Sequence, residues 1–311
     1  MIESSFQSLG PHGFHRVAYT EWGRRSSSRV VMCVHGLTRN GRDFDTLAGA
    51  LDGECRLLCM DVVGRGRSDW LEHKEDYTFH QYQVDAAALI VRATESAQRP
   101  LLQVLLQPSR SDPSAITVDW IGTSMGGLIG MMIAAQPHSP IRRLVLNDVG
   151  PFIPWSALMR LKSNFAARTR FDSLDEVEKG VREALSQWGE LSDRQWQHLT
   201  EHSAHLQNDA TYRLACDPAV GLATAWGWSP NAQIGNRHLL GLELWSTWEA
   251  IRCPTLVLRG TNSDVLDAGT LKRMMQHGPP TKMVELPGIG HAPSLMQPDQ
   301  IRIIHDFLSA S

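Results

Sequence analysis

Two patterns of apolar residues divide this chain. In the first, near-continuous apolar runs recur: Arg29–Val34, Arg56–Asp61, Ala115–Gly122, Arg143–Asp148 and Pro254–Gly260, with Lys282–Leu286 a further, more polar strand. Runs of this length, bounded by turn residues, predict strands buried on both faces. Between them lie helical periodicities over Arg42–Leu51 (Asn40 or Gly41 near its start), 78–98, Met125–Gln136, Ala268–Gln276 and Pro298–Leu308. In the 78–98 segment the expected apolar face is Val84, Ala87, Ala88, Ile90 and Val91. Residues 5–23 read as two extended segments around the turn Gly10-Pro11-His12-Gly13. Buried strands alternating with helices predict a mostly parallel sheet with helices on both faces.

The second pattern runs from about Pro151 to about Ala250, where periodicity is helical and no buried-strand run occurs. Leu174–Trp188 is its clearest amphipathic helix, with Ser173 as N-cap and Glu176 three residues on, a capping box. The expected division is a core of residues 1–150 and 251–311 and a helical insertion of residues 151–250. Seven tryptophans fall in the insertion: Trp155, Trp188, Trp196, Trp226, Trp228, Trp245 and Trp248. They either roof an apolar pocket or pack the insertion's own small core. Pro100–Ser114, with two prolines and a Ser-Arg-Ser-Asp run, reads as a long surface connection.

Composition narrows the function classes. A chain of 311 residues has room for one large α/β domain, or for a domain with a substantial insertion. A net charge of −3 gives no electrostatic reason to expect a nucleic-acid or anionic-membrane partner. No apolar run approaches the ~20 residues that span a bilayer. The first residues lack a basic region followed by an apolar core, and the five cysteines match no zinc or redox spacing. Cys33 and Cys59 sit in strand-like runs as small hydrophobes, so a reducing cytoplasm is expected. Asp61-Val62-Val63-Gly64-Arg65-Gly66-Arg67-Ser68 is glycine-rich but lacks the Gly-Lys-Ser/Thr ending of a phosphate loop, and no nucleotide cofactor is expected. His198 and His202 have helical i,i+4 spacing, with His205 beyond them. No third carboxylate or thiolate ligand is placed with them as metal sites need, so no metal site is expected.

The chemistry points to Val118–Gly130. Gly122-Thr123-Ser124-Met125-Gly126 is Gly-x-Ser-x-Gly between an apolar strand and an apolar helix, the context in which such a serine is exposed on a tight turn. A nucleophilic serine needs a base within hydrogen-bond reach and an acid to orient that base. Ligands of parallel sheets bind at the strands' C-terminal ends. Those ends carry His35-Gly36-Leu37, Asp61, Ser124, Asp148, Asp264 and His291. His291, in Gly288-Ile289-Gly290-His291-Ala292-Pro293, is the expected base. Asp264, four residues past Gly260, is the expected acid, with helix capping as its other reading. Asp148, at another strand end, is its rival. Backbone N–H groups of Leu37 and Met125 are the expected oxyanion donors. His35 reads as a support for its loop. Arg39, Arg42, Arg65 and Arg67 either recognise a substrate carboxylate or pair with surface acids.

Together, His35-Gly36, Asp61-x-x-Gly64-x-Gly66-x-Ser68, Gly122-x-Ser124-x-Gly126, Gly260-x-x-x-Asp264 and Gly290-His291 resemble the α/β-hydrolase superfamily, in the branch with a helical cap. The resemblance covers essentially the whole chain. It implies a mostly parallel eight-stranded sheet with helices on both faces and a cap inserted after strand six. It also implies a catalytic triad of Ser124, Asp264 and His291 and no cofactor. Members with Asp as nucleophile, epoxide hydrolases and dehalogenases among them, are argued against by Ser124. The expected activity is hydrolysis of small to medium carboxylic esters with apolar or aromatic groups, with Arg39, Trp155 and Trp226 as candidate substrate contacts. Two alternatives use the same residues: a carbon–carbon bond hydrolase of aromatic ring-cleavage products, and a slow-turnover binding or sensing protein.

Overall fold

Gly10 and Gly13 face each other across a tight turn and join β1 (Ile2–Gly10) to β2 (Gly13–Trp22) as an antiparallel hairpin. The structure is a computed structural model, and residues 1–95, 117–165, 169–220 and 241–310 are described. The 100–114 connection, Trp226 and Trp228 lie outside the described residues. The chain continues through β3 (Arg29–Val34), α1 (Asp45–Ala50), β4 (Arg56–Met60), α2 (Phe79–Glu95), β5 (Thr117–Thr123), α3 (Met125–Ala134) and β6 (Ile141–Asn147). There it leaves the sheet for β7 (Phe152–Pro154), α4 (Trp155–Phe165), β8 (Arg170–Phe171), α5 (Leu174–Ala184), α6 (Asp193–Glu201), β9 (Ala204–Leu206), β10 (Tyr212–Leu214), β11 (Gly241–Glu243) and α7 (Trp245–Ala250). It returns with β12 (Thr255–Gly260), α8 (Ala268–Met274), β13 (Thr281–Leu286) and α9 (Pro298–Ser309).

The eight-stranded sheet runs β1-β2-β4-β3-β5-β6-β12-β13. β2 is antiparallel to both its neighbours, and every pair from β4 to β13 is parallel. Strand residues alternate between two apolar layers, because successive side chains point to opposite faces. Val30, Met32 and Val34 join the layer under α2 and α3, whereas Val31 and Cys33 join the one under α1 and α9. This is the mostly parallel, doubly covered sheet expected from the apolar runs.

Three local expectations change. The buried face of α2 is Tyr82, Asp85, Ala86, Leu89, Ile90 and Ala93, while Val84 is 36% and Val91 52% exposed. A buried carboxylate sets this phase: Asp85 accepts from Ser8 and Gln81 and bonds His15, so a charged residue lies on the face that polarity would assign to water. α5 ends at Ala184 rather than Trp188. Ser173 does accept from Glu176 N, but Glu176 Oε2 accepts from Asp172 N, so the reciprocal bond is missing. The complete capping box belongs to Ser192 and Gln195 at the start of α6. Among its described residues the insertion also contains five strands of two or three residues, too short to leave an alternating pattern.

The insertion's tryptophans among the described residues mostly pack. Trp188 and Trp196 sit with Phe171, Val177, Val181 and Leu199 in a separate apolar cluster, and Trp245 and Trp248 join the main core. Among the described residues no helix is long and apolar enough to cross a membrane. All five cysteines are free thiols.

Candidate active site

Ser124 is the turn between β5 and α3, and its backbone sits at φ 52°. A non-glycine residue in that region carries strain of about 1–3 kcal/mol, held in place by its surroundings. Here the turn is pinned from both sides. Ser124 N donates to Asn147 O at 3.0 Å, and Ser124 O accepts from Gly127 N and Leu128 N at 2.9 and 3.1 Å. The flanking glycines are dictated by close approach. A Cβ on Gly122 would lie 2.3 Å from Gly126 O, and one on Gly126 would lie 2.0 Å from Val34 O.

β6 runs beside β5 with Thr123 opposite Asn147, so the next residue of each strand, Ser124 and Asp148, emerge side by side. The loop after β13 brings His291 over this edge. His291 Nε2 lies 2.9 Å from Ser124 Oγ, and its Nδ1 lies 2.7 Å from Asp148 Oδ2. The Asp148 side chain is fully buried and that of His291 is 8% exposed. Asp148 also accepts from Gly260 N (2.9 Å, Oδ1) and from Ser263 Oγ (2.5 Å, Oδ2), so its carboxylate orientation is fixed by three donors.

The expectation that Asp264 partners the histidine is therefore corrected. Asp264 points away into a two-bond pair with Arg160 at 2.6 and 2.7 Å, and its side chain is 44% exposed. Although partial burial opposes it, the Arg160 bonds and charge hold the Asp264 carboxyl below the usual range. The capping alternative also fails, because Asp267 caps α8 by accepting from Thr270 N at 2.9 Å.

Leu37 and Met125 are the residues whose N–H groups were expected to receive the oxyanion. Among the described residues neither N–H donates a hydrogen bond within the protein. The loop carrying Leu37 runs against the serine: a Cβ on Gly36 would lie 3.8 Å from Ser124 Cβ. His35 is a support, as read from the sequence. Its Nδ1 donates to Gly36 O at 2.6 Å and its Nε2 accepts from Val62 N at 3.0 Å. Burial pushes its pKa down to about 3, against the raising effect of the Gly36 bond, so the imidazole is neutral.

The four arginines are engaged in the protein itself. Arg39, 8% exposed, pairs with Asp43 and donates to Ser203 Oγ at 2.7 Å, so its guanidinium is engaged within the protein rather than presented to solvent. Arg42 pairs with Asp45 and Arg67 with Glu3. Arg65 is fully buried and bonds no carboxylate among the described residues. Instead it donates to Leu37 O (2.9 Å) and Val63 O (2.7 Å), reaches Met125 Sδ (3.4 Å), and packs over Tyr77 and Tyr82. Trp155 is half-buried at the start of α4, against the main core.

Three residues that the sequence reading passed over also touch the site. Ser263 holds Asp148. Asn147 Nδ2 donates to Pro293 O at 2.8 Å, tying β6 to the histidine loop. Gln187, from the insertion, accepts from Gly290 N through its backbone oxygen (2.9 Å) and from His291 N through Oε1 (3.3 Å). No periodicity or motif marks a glutamine beyond a helix end, so Gln187 had no signal to find. Ser263 had a weak one, since it directly precedes the favoured aspartate.

A hydroxyl, an imidazole and a buried carboxylate in series can move a proton off the hydroxyl. A model of the alpha/beta hydrolase family matches residues 31–302. The chain belongs to the α/β-hydrolase family. This hydrolase is 37% identical over 310 residues to a 3-hydroxybutyrate-oligomer hydrolase of Cupriavidus necator, covering 98% of the chain and 97% of the relative. Among solved structures, it superposes on a protein of Rickettsia typhi with a TM-score of 0.83 at 26% identity, over 99% of both chains. An alpha/beta hydrolase from Novosphingobium aromaticivorans matches with a TM-score of 0.78 at 28% identity, over 98% of both chains.

Proposed function

We propose that this hydrolase cleaves carboxylic esters through an acyl-enzyme on Ser124, and that its substrates are short linear oligoesters of 3-hydroxy acids. The observation that carries the reading is the unbroken series Ser124 Oγ, His291 and Asp148, at 2.9 and 2.7 Å. His291 takes the serine proton as Oγ bonds the ester carbonyl carbon. The same proton passes to the leaving alkoxide as the carbon–oxygen bond breaks. Water, deprotonated by His291, then releases the acid and regenerates Ser124. Asp148 holds the imidazole and stabilises its cationic form. Leu37 and Met125 N–H groups receive the developing oxyanion, and Arg65 braces both residues from behind.

The substrate class rests on the C. necator relative, which is matched along its whole length and named for oligomer hydrolysis. Each ester bond in such an oligomer joins a carboxyl to a secondary alcohol, which suits a triad acting on unactivated esters. We read the 151–250 segment as a lid over the site. Contacts from Gln187 to the His291 loop, and from Ser203 and Ala215 to loops after β3 and β4, support this. Trp155 is the proposed aromatic contact within the described residues.

Incubation with 3-hydroxybutyrate dimer and trimer, with free acid quantified, tests the reading. Turnover of both, abolished in Ser124→Ala, is expected. Cleavage of p-nitrophenyl butyrate without cleavage of the oligomers would remove the substrate assignment. Inertness toward both would remove the ester assignment.

A further inference from the structure

The i,i+4 histidines His198 and His202 have no third ligand placed with them in sequence as a metal site needs, the adjacent Glu201 being exposed. The fold supplies one in Asp45, far earlier in the chain. Asp45, in α1, places a carboxylate oxygen so that it and one ring nitrogen of each histidine lie within 4.8 Å of one another. Asp45 Oδ2 is 3.5 Å from His198 Nε2. The Asp45 side chain is 9% exposed, and its Oδ1 is buried with no hydrogen-bond partner. Buried carboxylate oxygens are normally satisfied, so an orphan beside two imidazoles calls for a ligand. The His202 ring makes no side-chain hydrogen bond among the described residues and meets His198 edge-on at 4.6 Å between centroids.

We propose that Asp45, His198 and His202 bind a borderline divalent transition-metal ion, Zn²⁺ being the probe. Two imidazoles and a carboxylate are a donor set this class of ion takes, at about 2.0–2.2 Å per bond, with a fourth position left for water. A sphere of that size needs its donors about 3.3 Å apart, so the cluster closes by rotamer shifts of about 1 Å. Closure trades the His198 Nε2 bond to Arg42 O (3.0 Å) for a metal bond. Local charge permits this. Arg39 is paired with Asp43, Arg67 with Glu3, and Arg42 with Asp45 Oδ2 at 2.6 Å, leaving Oδ1 for the ion.

The site's place in the fold gives it a role. Asp45 follows β3 on the sheet side, and the histidines end α6 in the insertion. Asn40 Nδ2 to His202 O (2.8 Å) and Arg39 to Ser203 Oγ already join the two sides at this seam. A metal there is a staple between insertion and sheet, separate from Ser124 chemistry.

Isothermal titration of the metal-free full-length chain with ZnCl₂ tests the site without turnover, so its outcome is independent of the ester assignment. One equivalent bound at micromolar or tighter Kd is expected, weakened at least tenfold in both Asp45→Asn and His202→Gln. His73→Gln, at the exposed His12–His73 stack, serves as control and keeps wild-type binding. Circular dichroism verifies folding of each variant. His202→Gln guards against a fold defect in Asp45→Asn, because among the described residues the His202 imidazole makes no hydrogen bond and only packs edge-on against His198. A Zn²⁺-induced rise in Tm of a few degrees, lost in His202→Gln, is also expected. No binding to the wild type, or an unchanged Kd in His202→Gln, overturns the proposal.

Discussion

Under the proposed mechanism, Asp148 carries the distinction between structural and reacting carboxylates in this molecule. It is fully buried, turned at φ 56°, and bonded by Gly260 N, Ser263 Oγ and His291 Nδ1. Replacing it by Asn keeps the size but offers the histidine the wrong partner, so Asp148→Asn should lower kcat by about 10³–10⁴-fold. Asp264→Asn, which breaks an exposed pair with Arg160, should change kcat by less than about threefold. Steady-state kinetics on a p-nitrophenyl ester separates the two, and the reverse ranking would reassign the acid. Ser263→Ala removes one of three donors to the same carboxylate. About a tenfold loss in kcat at unchanged KM is expected there, since a bond to a charged acceptor contributes about 1.5–3 kcal/mol.

Among the elements, the β5–α3 turn is the most constrained. A methyl at Gly126 would lie 2.0 Å from Val34 O, and backbone cannot yield as a side-chain end can. Gly126→Ala should cost about 3 kcal/mol or more, read as a lowered urea midpoint or lost soluble yield. The loop after β3 depends on Arg65. Arg65→Met should lower kcat about 10–100-fold with KM nearly unchanged, and Arg65→Lys should restore part of it. A parallel rise in KM would indicate a pocket defect instead. These elements also show what the chain's own pattern can reveal. Buried strands and their helices were legible because each apolar run ends at, or within two residues of, a glycine or a charge. Ser124 and His291 were legible because both lie in glycine-bounded turns after such runs. The choice between Asp148 and Asp264 was not, because both follow strand ends and only the β5–β6 register puts one beside Ser124. The phase of α2 was hidden by the buried Asp85. The Asp45–His198–His202 cluster was hidden by sequence distance.

At the scale of the whole molecule, stability should depend on a neutral histidine. His35 has a folded pKa near 3, well below its ordinary value of 6.5. Above pH 6.5 both folded and unfolded chains carry it neutral, and no free energy is lost. As pH falls from 6.5 toward 3 the unfolded chain binds a proton that the folded chain refuses, so stability falls. Between pH 7 and 5 this one group should lower unfolding free energy by ~2 kcal/mol. Urea titrations at the two pH values should show that decrement reduced by a similar amount in His35→Gln, whatever that variant's stability at pH 7. An equal decrement in both proteins would show that His35 is not the source.

The proposed mechanism has the molecule as a whole bring together three strand ends, an insertion and a histidine loop so that one serine reacts. Labelling with a p-nitrophenyl alkylphosphonate, followed by peptide mass mapping, tests that claim most directly. One phosphonyl group per chain, on Ser124, with ester hydrolysis lost in proportion to labelling, is the predicted result. Full labelling at another residue, or activity retained in the labelled protein, would contradict it.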